Sequence, residues 1–349
     1  MRPRNLALFL VLALALLLLP ALAACGGDEA EEPEATETTE ATETTEAEEG
    51  EEGETSGETY SIGITQIVSH PALDSVVQGF KDALAEEGIQ AEFDEQNAQG
   101  DLATASTIAE KFVADGVDMI LSVATPTSQA AVQATTEIPV LFAAVTDPVA
   151  AGLVEDPDNP GANVTGVSDK LPLQPHLDLI REVVPEAQTI GLIYNAGEDN
   201  SVALVEEEKQ LAQEMGFEIV EATVATSADV LAAAESLAGR VDVISVLTDN
   251  TVVSAFESVV KVGQDNDIPV IAGDIDSVKR GAAAAYAFDY YKHGQQAGRM
   301  AARILSGTPI AEIPVEFAEE LVLAVNPASA EEMGITIPEE VLQDAGEVF

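Results

Sequence analysis

The chain has 349 residues, with 63 Asp and Glu against 14 Lys and Arg, and a formal net charge of −49. A surface of that sign repels nucleic acid and anionic lipid, which makes both poor partners. One cysteine leaves no intramolecular disulfide and no thiolate metal cluster to organise the fold.

At the N-terminus, Arg2 and Arg4 precede an apolar run from Leu6 to Leu19, and Leu22-Ala23-Ala24 leads into Cys25. Charged, apolar and small-residue regions in that order make a secretory signal, and the last four residues resemble a bacterial lipobox. The run is shorter than the roughly 20 residues of a membrane span. Residues 1–24 are therefore expected to be a lipoprotein signal peptide, with Cys25 as the lipidated first residue of an extracytoplasmic, membrane-anchored protein. The alternative is a plain signal or short anchor with an incidental cysteine. Residues 25–58 follow as a tether: Asp28 to Glu58 holds fifteen acidic residues and no basic one. Lacking apolar residues to offset its ordering entropy, this segment is expected to be disordered and self-repelling, or else an acidic interaction tail. From Thr59 onward 48 acids still face 12 bases, a net charge near −36.

The body alternates strand-like and helix-like segments. Tyr60–Val68 is an apolar β-rich run, Pro71–Glu87 a helix ending at Gly88, and Ile89–Asp94 a second strand. Helix Asp101–Ala114, strand Asp118–Ala124, helix Thr127–Thr136 and strand Pro139–Val145 repeat the unit. A second series begins at Thr189–Tyr194 and alternates through helix Ser201–Met215, strand Phe217–Val224, helix Ala228–Ala238, strand Val241–Leu247, helix Thr251–Asn266 and strand Pro269–Ala272. Near-continuous apolar strands separated by amphipathic helices indicate parallel sheets covered on both faces. Two such series predict an α/β protein of two Rossmann-like lobes.

Ligands of open parallel sheets bind beyond the carboxyl ends of the strands, so those ends supply the candidate site. The first strand carries Gln66 and runs into His70; the third leads to Thr125, Thr127 and Ser128; the fourth leads to Thr146 and Asp147. In the second lobe the ends give Asn195, Asn200 and Ser201, then Thr248, Asp249 and Asn250, then Asp274, with Asp289 closing Ala282–Phe288. Hydroxyls, amides and carboxylates with almost no basic side chain suit a small zwitterion. Its carboxylate would sit on backbone N–H groups at a helix start with Ser or Thr assisting, at Thr125–Ser128 or at Asn200-Ser201. Its ammonium would take a carboxylate from Asp147, Asp249 or Asp274. The competing role of every such residue is to cap the helix it precedes.

Catalysis has little support. His70, His176 and His293 are scattered, with no spacing for metal or nucleophilic chemistry, and no phosphate loop or nucleophile elbow follows a strand. His176 and His293 fall at predicted helix starts and read as surface residues. No enzyme, metal or cofactor is expected.

Several stretches together resemble the tryptophan/tyrosine-type substrate-binding family of ABC transporters: Ile64–Asp74 (ITQIVSHPALD), Gln96–Asp101 (QNAQGD), Ala124-Thr125-Pro126, Val145–Leu153 (VTDPVAAGL), Asn163–Asp169 (NVTGVSD), Thr248–Val252 (TDNTV), Ala272-Gly273-Asp274, Phe288–Tyr291 (FDYY) and Gly334–Pro338 (GITIP). The resemblance covers about Tyr60 to the C-terminus. Ala144 departs from it, standing where such proteins often carry a hydroxyl residue, which removes one potential ligand hydrogen bond. The resemblance implies a type I periplasmic-binding-protein fold. Its N-terminal lobe would be 59–168 and 288–316, its C-terminal lobe 169–287 and 317–349, joined by crossover hinges near Val167–Lys170, Tyr286–Asp289 and Val315–Glu319. It also implies a monomer that closes on an aromatic amino acid and delivers it to a membrane permease. A sugar or nucleoside binder on the same fold, or a ligand-sensing accessory protein, are the alternatives.

Overall fold

The computed structural model describes residues 59–318 and 320–349. The signal peptide, Cys25 and the acidic tether lie outside the described residues. In chain order the first elements are β1 (Thr59–Gln66), α1 (Pro71–Glu86), β2 (Gln90–Asn97), α2 (Leu102–Asp115), β3 (Met119–Val123), α3 (Thr125–Ala134), β4 (Val140–Val145) and β5 (Val164–Ser168). The second series is α4 (Leu173–Val183), β6 (Thr189–Asn195), α5 (Asp199–Glu214), β7 (Glu218–Val224), α6 (Val230–Leu237), β8 (Val243–Val246), α7 (Asn250–Ser254), α8 (Phe256–Asn266), β9 (Val270–Ala272), α9 (Ile275–Lys279) and β10 (Ala284–Phe288). Then come α10 (Tyr290–Leu305), β11 (Glu316–Phe317), β12 (Leu321–Val325), α11 (Pro327–Glu332), α12 (Glu339–Asp344) and β13 (Glu347–Val348).

The strands form two sheets, ordered β11-β5-β4-β3-β1-β2 in lobe 1 and β13-β12-β10-β9-β8-β6-β7 in lobe 2. Among the described residues, all pairings are parallel except β10 with β12. Strands β3 and β4 are buried along their whole length, as expected where helices cover both faces of a sheet. The core of lobe 1 is built on Phe80, Phe112 and Phe142, that of lobe 2 on Phe256 and the aliphatic strands. The chain passes between the sheets three times: after β5, between β10 and α10, and between β11 and β12.

Local sequence sets the helix limits. Asp101 caps α2 by accepting from Thr104 N–H at 2.6 Å, and Gly116 ends it at φ 67°, a left-handed position suited to glycine. The helix read over Thr251–Asn266 is broken at Ala255 (φ −122°) into α7 and α8. Helices α1 and α10 lie in backbone contact: a Cβ on Gly294 would stand 2.1 Å from the Val76 carbonyl, and one on Gly79 2.1 Å from that of Tyr291. Glycine alone permits that approach. It brings the starts of both helices, His70–Leu73 and Tyr290, to the boundary between the lobes.

Candidate functional site

Among the described residues, two cavities are lined by both lobes. The wider, about 960 Å³, is lined by Ile67, Val68, Gln99 and Pro126 of lobe 1 and by Asn195–Glu198 and Thr223–Ser227 of lobe 2. Several of its polar groups satisfy one another. Asn195 Nδ2 donates to Thr251 at 2.9 Å, Glu198 accepts from Asn250 Nδ2 at 2.6 Å and from the Thr251 hydroxyl at 2.7 Å, and Thr226 and Asp229 form a capping box.

The second cavity is small, about 20 Å³, and lined almost wholly by buried residues. Lobe 1 and its crossing contribute His70, Ala72, Leu73, Ala144, Thr146, Asp169 and Tyr290; lobe 2 contributes Asn200, Thr248, Asp249, Asn250, Val253 and Asp274. Here the accounts do not close. Both ring nitrogens of His70, Oδ1 of Asp169, Oδ1 of Asn200 and Oγ1 of Thr248 are buried without a hydrogen-bond partner. Buried polar groups are nearly always paired, and an orphan costs about 1–3 kcal/mol. Several orphans converging on one cavity mark the place where a polar ligand completes the network, so the small cavity, not the large one, is the candidate site. Ligand pockets usually measure about 300–1,000 Å³. The lobes are thus closed against each other here and must part to admit an organic molecule.

The remaining candidates from the sequence are held elsewhere. Thr127 donates to the Val123 and Ala124 carbonyls, and Ser128 donates to the Ala124 carbonyl while accepting from Ser122. Both serve the start of α3. Thr125 is buried at the same helix start with its hydroxyl unpaired, though it does not line the small cavity. Gln66 donates to Val68 O and Asp74 Oδ1. Asp147 closes its own turn on the N–H groups of Val149 and Ala150 and stands 3.9 Å from Lys170. Ser201 accepts from Asn200 Nδ2. Asp289 caps α10 through Tyr291 and Lys292 N–H.

Among the lining carboxylates, Asp249 and Asp274 cap α7 and α9. Asp249 accepts from Val252 N–H at 2.7 Å and Asn195 N–H at 2.6 Å; Asp274 accepts from the N–H and hydroxyl of Ser277. Burial, reinforced by the neighbouring Glu198 charge, pushes Asp249 up to about 7, and burial also raises Asp274. Asp169 differs. It accepts from the Tyr290 hydroxyl at 2.6 Å, Oδ1 has no partner in hydrogen-bond geometry, and burial raises it to about 6 despite the pull of Tyr290, of its own N–H and of the nearby Thr146 side chain. Asp169 and Tyr290 were missed because the fifth strand was read as a crossing, not as a strand with a functional end. The signal was present in Asn163–Asp169 and Phe288–Tyr291, both quoted for the resemblance.

The histidines require correction. His176 and His293, read as surface residues, are 0% and 2% exposed. Their partners come from other elements, Ser245 on β8 and Glu208 on α5 for His176 and Ala144 on β4 for His293, and are invisible in the local pattern. His293 Nε2 accepts the N–H of Ala144 at 2.9 Å. That residue has φ 55° and sits where the pairing of β4 with β5 shifts register. Burial lowers His293 to about 4, so the ring is neutral and its lone pair fixes the bulge that turns Ala144 toward the cavity. His70 is lowered to about 3 by burial and by the Arg280 charge, against the neighbouring Asn250 side chain, which favours the charged ring. Among the described residues no group of three or more His, Cys, Asp or Glu could hold a metal ion, and no helix is long and apolar enough to cross a membrane.

Comparison with known proteins agrees with this geometry. The profile of the family described as ABC transporter substrate binding protein matches residues 61–349. A tyrosine-binding protein of Clostridioides difficile is 43% identical over 270 residues, 76% of this chain and 78% of its own. The crystal structure of an ABC domain from Streptococcus pneumonia in complex with L-Trp shares 38% identity and a TM-score of 0.81, covering 84% of this chain and all of that one. The ligand-free, open structure of a substrate binding protein with adhesive properties from Clostridium difficile is 40% identical but superposes less well, at TM-score 0.63 over 83% of this chain and 99% of its own. At nearly equal identity, the weaker fit to an open structure agrees with lobes that are closed here. The architecture is the type I periplasmic-binding-protein fold, as the resemblance implied.

Proposed function

This chain belongs to the ABC transporter substrate binding protein family, and from that premise we propose that it is the extracytoplasmic receptor of an importer, closing its two lobes on an aromatic amino acid. The observation that carries the reading is the small inter-lobe cavity, where His70, Asp169, Asn200 and Thr248 hold buried, unpaired polar atoms beside Ala72, Leu73 and Val253. The polar atoms suit the ammonium, carboxylate and side-chain groups of an amino acid, and the apolar ones suit its ring. The tyrosine-binding relative and the L-Trp complex support this ligand class.

Mechanistically, the lobes part to admit the ligand, and only closure lets both sheets' strand ends touch it. The ligand therefore stabilises the closed form by the contacts it makes there alone. A membrane permease then reads closure and accepts the cargo. No step makes or breaks a bond, so the protein is a binder and not an enzyme. It is held at the membrane by lipid on Cys25 and works as a monomer. Partition of the native protein into detergent, lost in Cys25→Ala, tests the anchor.

The chain contains no tryptophan, so all indole emission in a titration with L-tryptophan comes from the ligand. A saturable shift, competed by tyrosine or phenylalanine, is the expected result. Absence of a shift together with saturable binding of a sugar or nucleoside would replace the amino acid while keeping the fold and family.

A further inference from the structure

We propose that Glu198 is the positioning residue of the small cavity: reaching from the start of α5 to that of α7, it holds the Asn250 amide so that its carbonyl oxygen faces His70 across the lobe boundary. The inference rests on the amino-acid reading above and adds to it the group that orients the site.

Glu198 precedes α5, yet its side chain makes no capping bond to that helix. It is almost wholly buried and serves α7 instead. Oε1 accepts from the Thr251 N–H at 3.0 Å and the Thr251 hydroxyl at 2.7 Å. Oε2 accepts from the Asn250 N–H at 3.2 Å, from Asn250 Nδ2 at 2.6 Å and from Asn200 Nδ2 at 3.3 Å. Helix α7 already has a cap of its own, since Asp249 accepts from the Val252 N–H. A second buried carboxylate beside the first is unfavourable: burial raises Asp249, and the Glu198 charge raises it further.

What the second carboxylate supplies is direction. A carboxylate only accepts, so an amide that meets it turns its NH2 inward and its carbonyl oxygen away. Asn200 is oriented twice over, because the Thr248 carbonyl also accepts from its Nδ2, at 3.2 Å, and its Oδ1 is left buried and unpaired. Asn250 is oriented once. Among the described residues its Nδ2 bonds to Glu198 alone. Asn250 lines both inter-lobe cavities, the wide one together with Glu198 and the small one together with His70. Against burial and the Arg280 charge, its side chain favours the charged form of His70. That is the effect of a carbonyl oxygen facing the ring, and an amide N–H there would do the opposite. Glu198 thus acts on the cavity through Asn250, setting an acceptor where lobe 2 meets lobe 1.

The test is a charge exchange between the two residues, read by calorimetric titration of the full chain with L-tyrosine and L-tryptophan. Glu198→Gln turns a donor towards Asn250 and inverts its amide, so affinity should fall roughly tenfold or more. Asn250→Asp sets two carboxylates against each other and should lose at least as much. In the double variant the new amide donates to the new carboxylate, whose second oxygen again faces His70. Affinity should then return to within about threefold of the wild type, whereas a residue that only braces the fold gives losses that add. A Glu198→Gln protein that binds like the wild type overturns the proposal, as does a double variant that is unfolded or binds no tighter than Glu198→Gln. Should Glu198→Gln alone not fold, the double variant is compared with Asn250→Asp, and binding no tighter than that overturns the proposal equally. A wild type that binds neither amino acid overturns the amino-acid reading and this proposal with it, a result distinct from wild-type binding without rescue.

Discussion

At the lobe boundary the Tyr290 hydroxyl donates to Asp169 at 2.6 Å, with His70 lining the same cavity. Inside lobe 2, Ser245 on β8 lies 2.8 Å from His176 on α4 and 3.1 Å from Glu208 on α5. Each cluster is a histidine, a hydroxyl and a carboxylate, almost wholly withdrawn from water. Each also leaves atoms unpaired: Asp169 Oδ1 and both nitrogens of His70 in the first, His176 Nδ1 and Glu208 Oε2 in the second. They differ in what can reach them. The first faces a surface that opens when the lobes part, so a ligand can complete it. The second is packed between helices and strands of one lobe and opens only on unfolding. Residue types alone therefore do not distinguish a binding site from a burden on stability.

The largest effect that would test this contrast is on stability. Burial raises Glu208 to about 8, against a bond from Ser245 that favours the charged form, so the folded state holds it protonated at neutral pH while the unfolded state ionises it. A carboxyl whose pKa is raised by folding stabilises most below its unfolded pKa near 4.5 and loses that contribution as pH rises towards 8. Glu208→Gln is expected to stabilise the protein at pH 7 by on the order of 3 kcal/mol. It should flatten the loss between pH 4.5 and 8, and leave ligand affinity within about twofold. Chemical denaturation across that range checks both, and an unchanged pH slope would remove the assignment. The buried histidines act in the opposite sense. Their pKa values are lowered by folding, so their stabilisation is present above pH 6.5 and lost as pH falls towards 4.

An intermediate effect is expected at His293, which touches the site through Ala144. His293→Leu leaves the bulge N–H unpaired in the core and should cost about 1–3 kcal/mol of stability. It should also weaken amino-acid binding by roughly tenfold, whereas His293→Gln, able to accept the same bond, should restore part of both. Equal affinity in the Leu and Gln variants would make the residue a packing element only. The smallest effect is expected at Asp147, half-exposed and occupied by its own turn and Lys170. Asp147→Asn should change affinity less than about twofold, by the same titration, and a tenfold loss would place the ligand nearer the rim than the small cavity.

Much of the fold was legible because parallel sheets write themselves locally. Apolar runs such as Met119–Val123 and Val140–Val145, bounded by helices with Asp101 and Gly116 as start and stop, need no distant partner to be recognised. The weaker readings fell where local chemistry has two uses. Asp249, Asp274 and Asp289 are all helix caps, yet the first two also line the cavity and the third does not. Nothing within a few residues separates these cases. His176 and His293 were misplaced for the same reason, since a histidine near a helix start reads as polar until another element covers it.

By itself the sequence determined the alternating α/β order, the two-lobed series, the order of the strand ends from which candidates were drawn, and the acid excess. These rest on periodicity and composition, which act over neighbouring residues. Only the tertiary structure decided that Asp169, Tyr290 and His70 share one small cavity, and that Thr127, Ser128 and Asp147 are spent on their own helix or turn. Such choices depend on which donors and acceptors remain unpaired after burial, and that count exists only once distant strands and helices have been brought together.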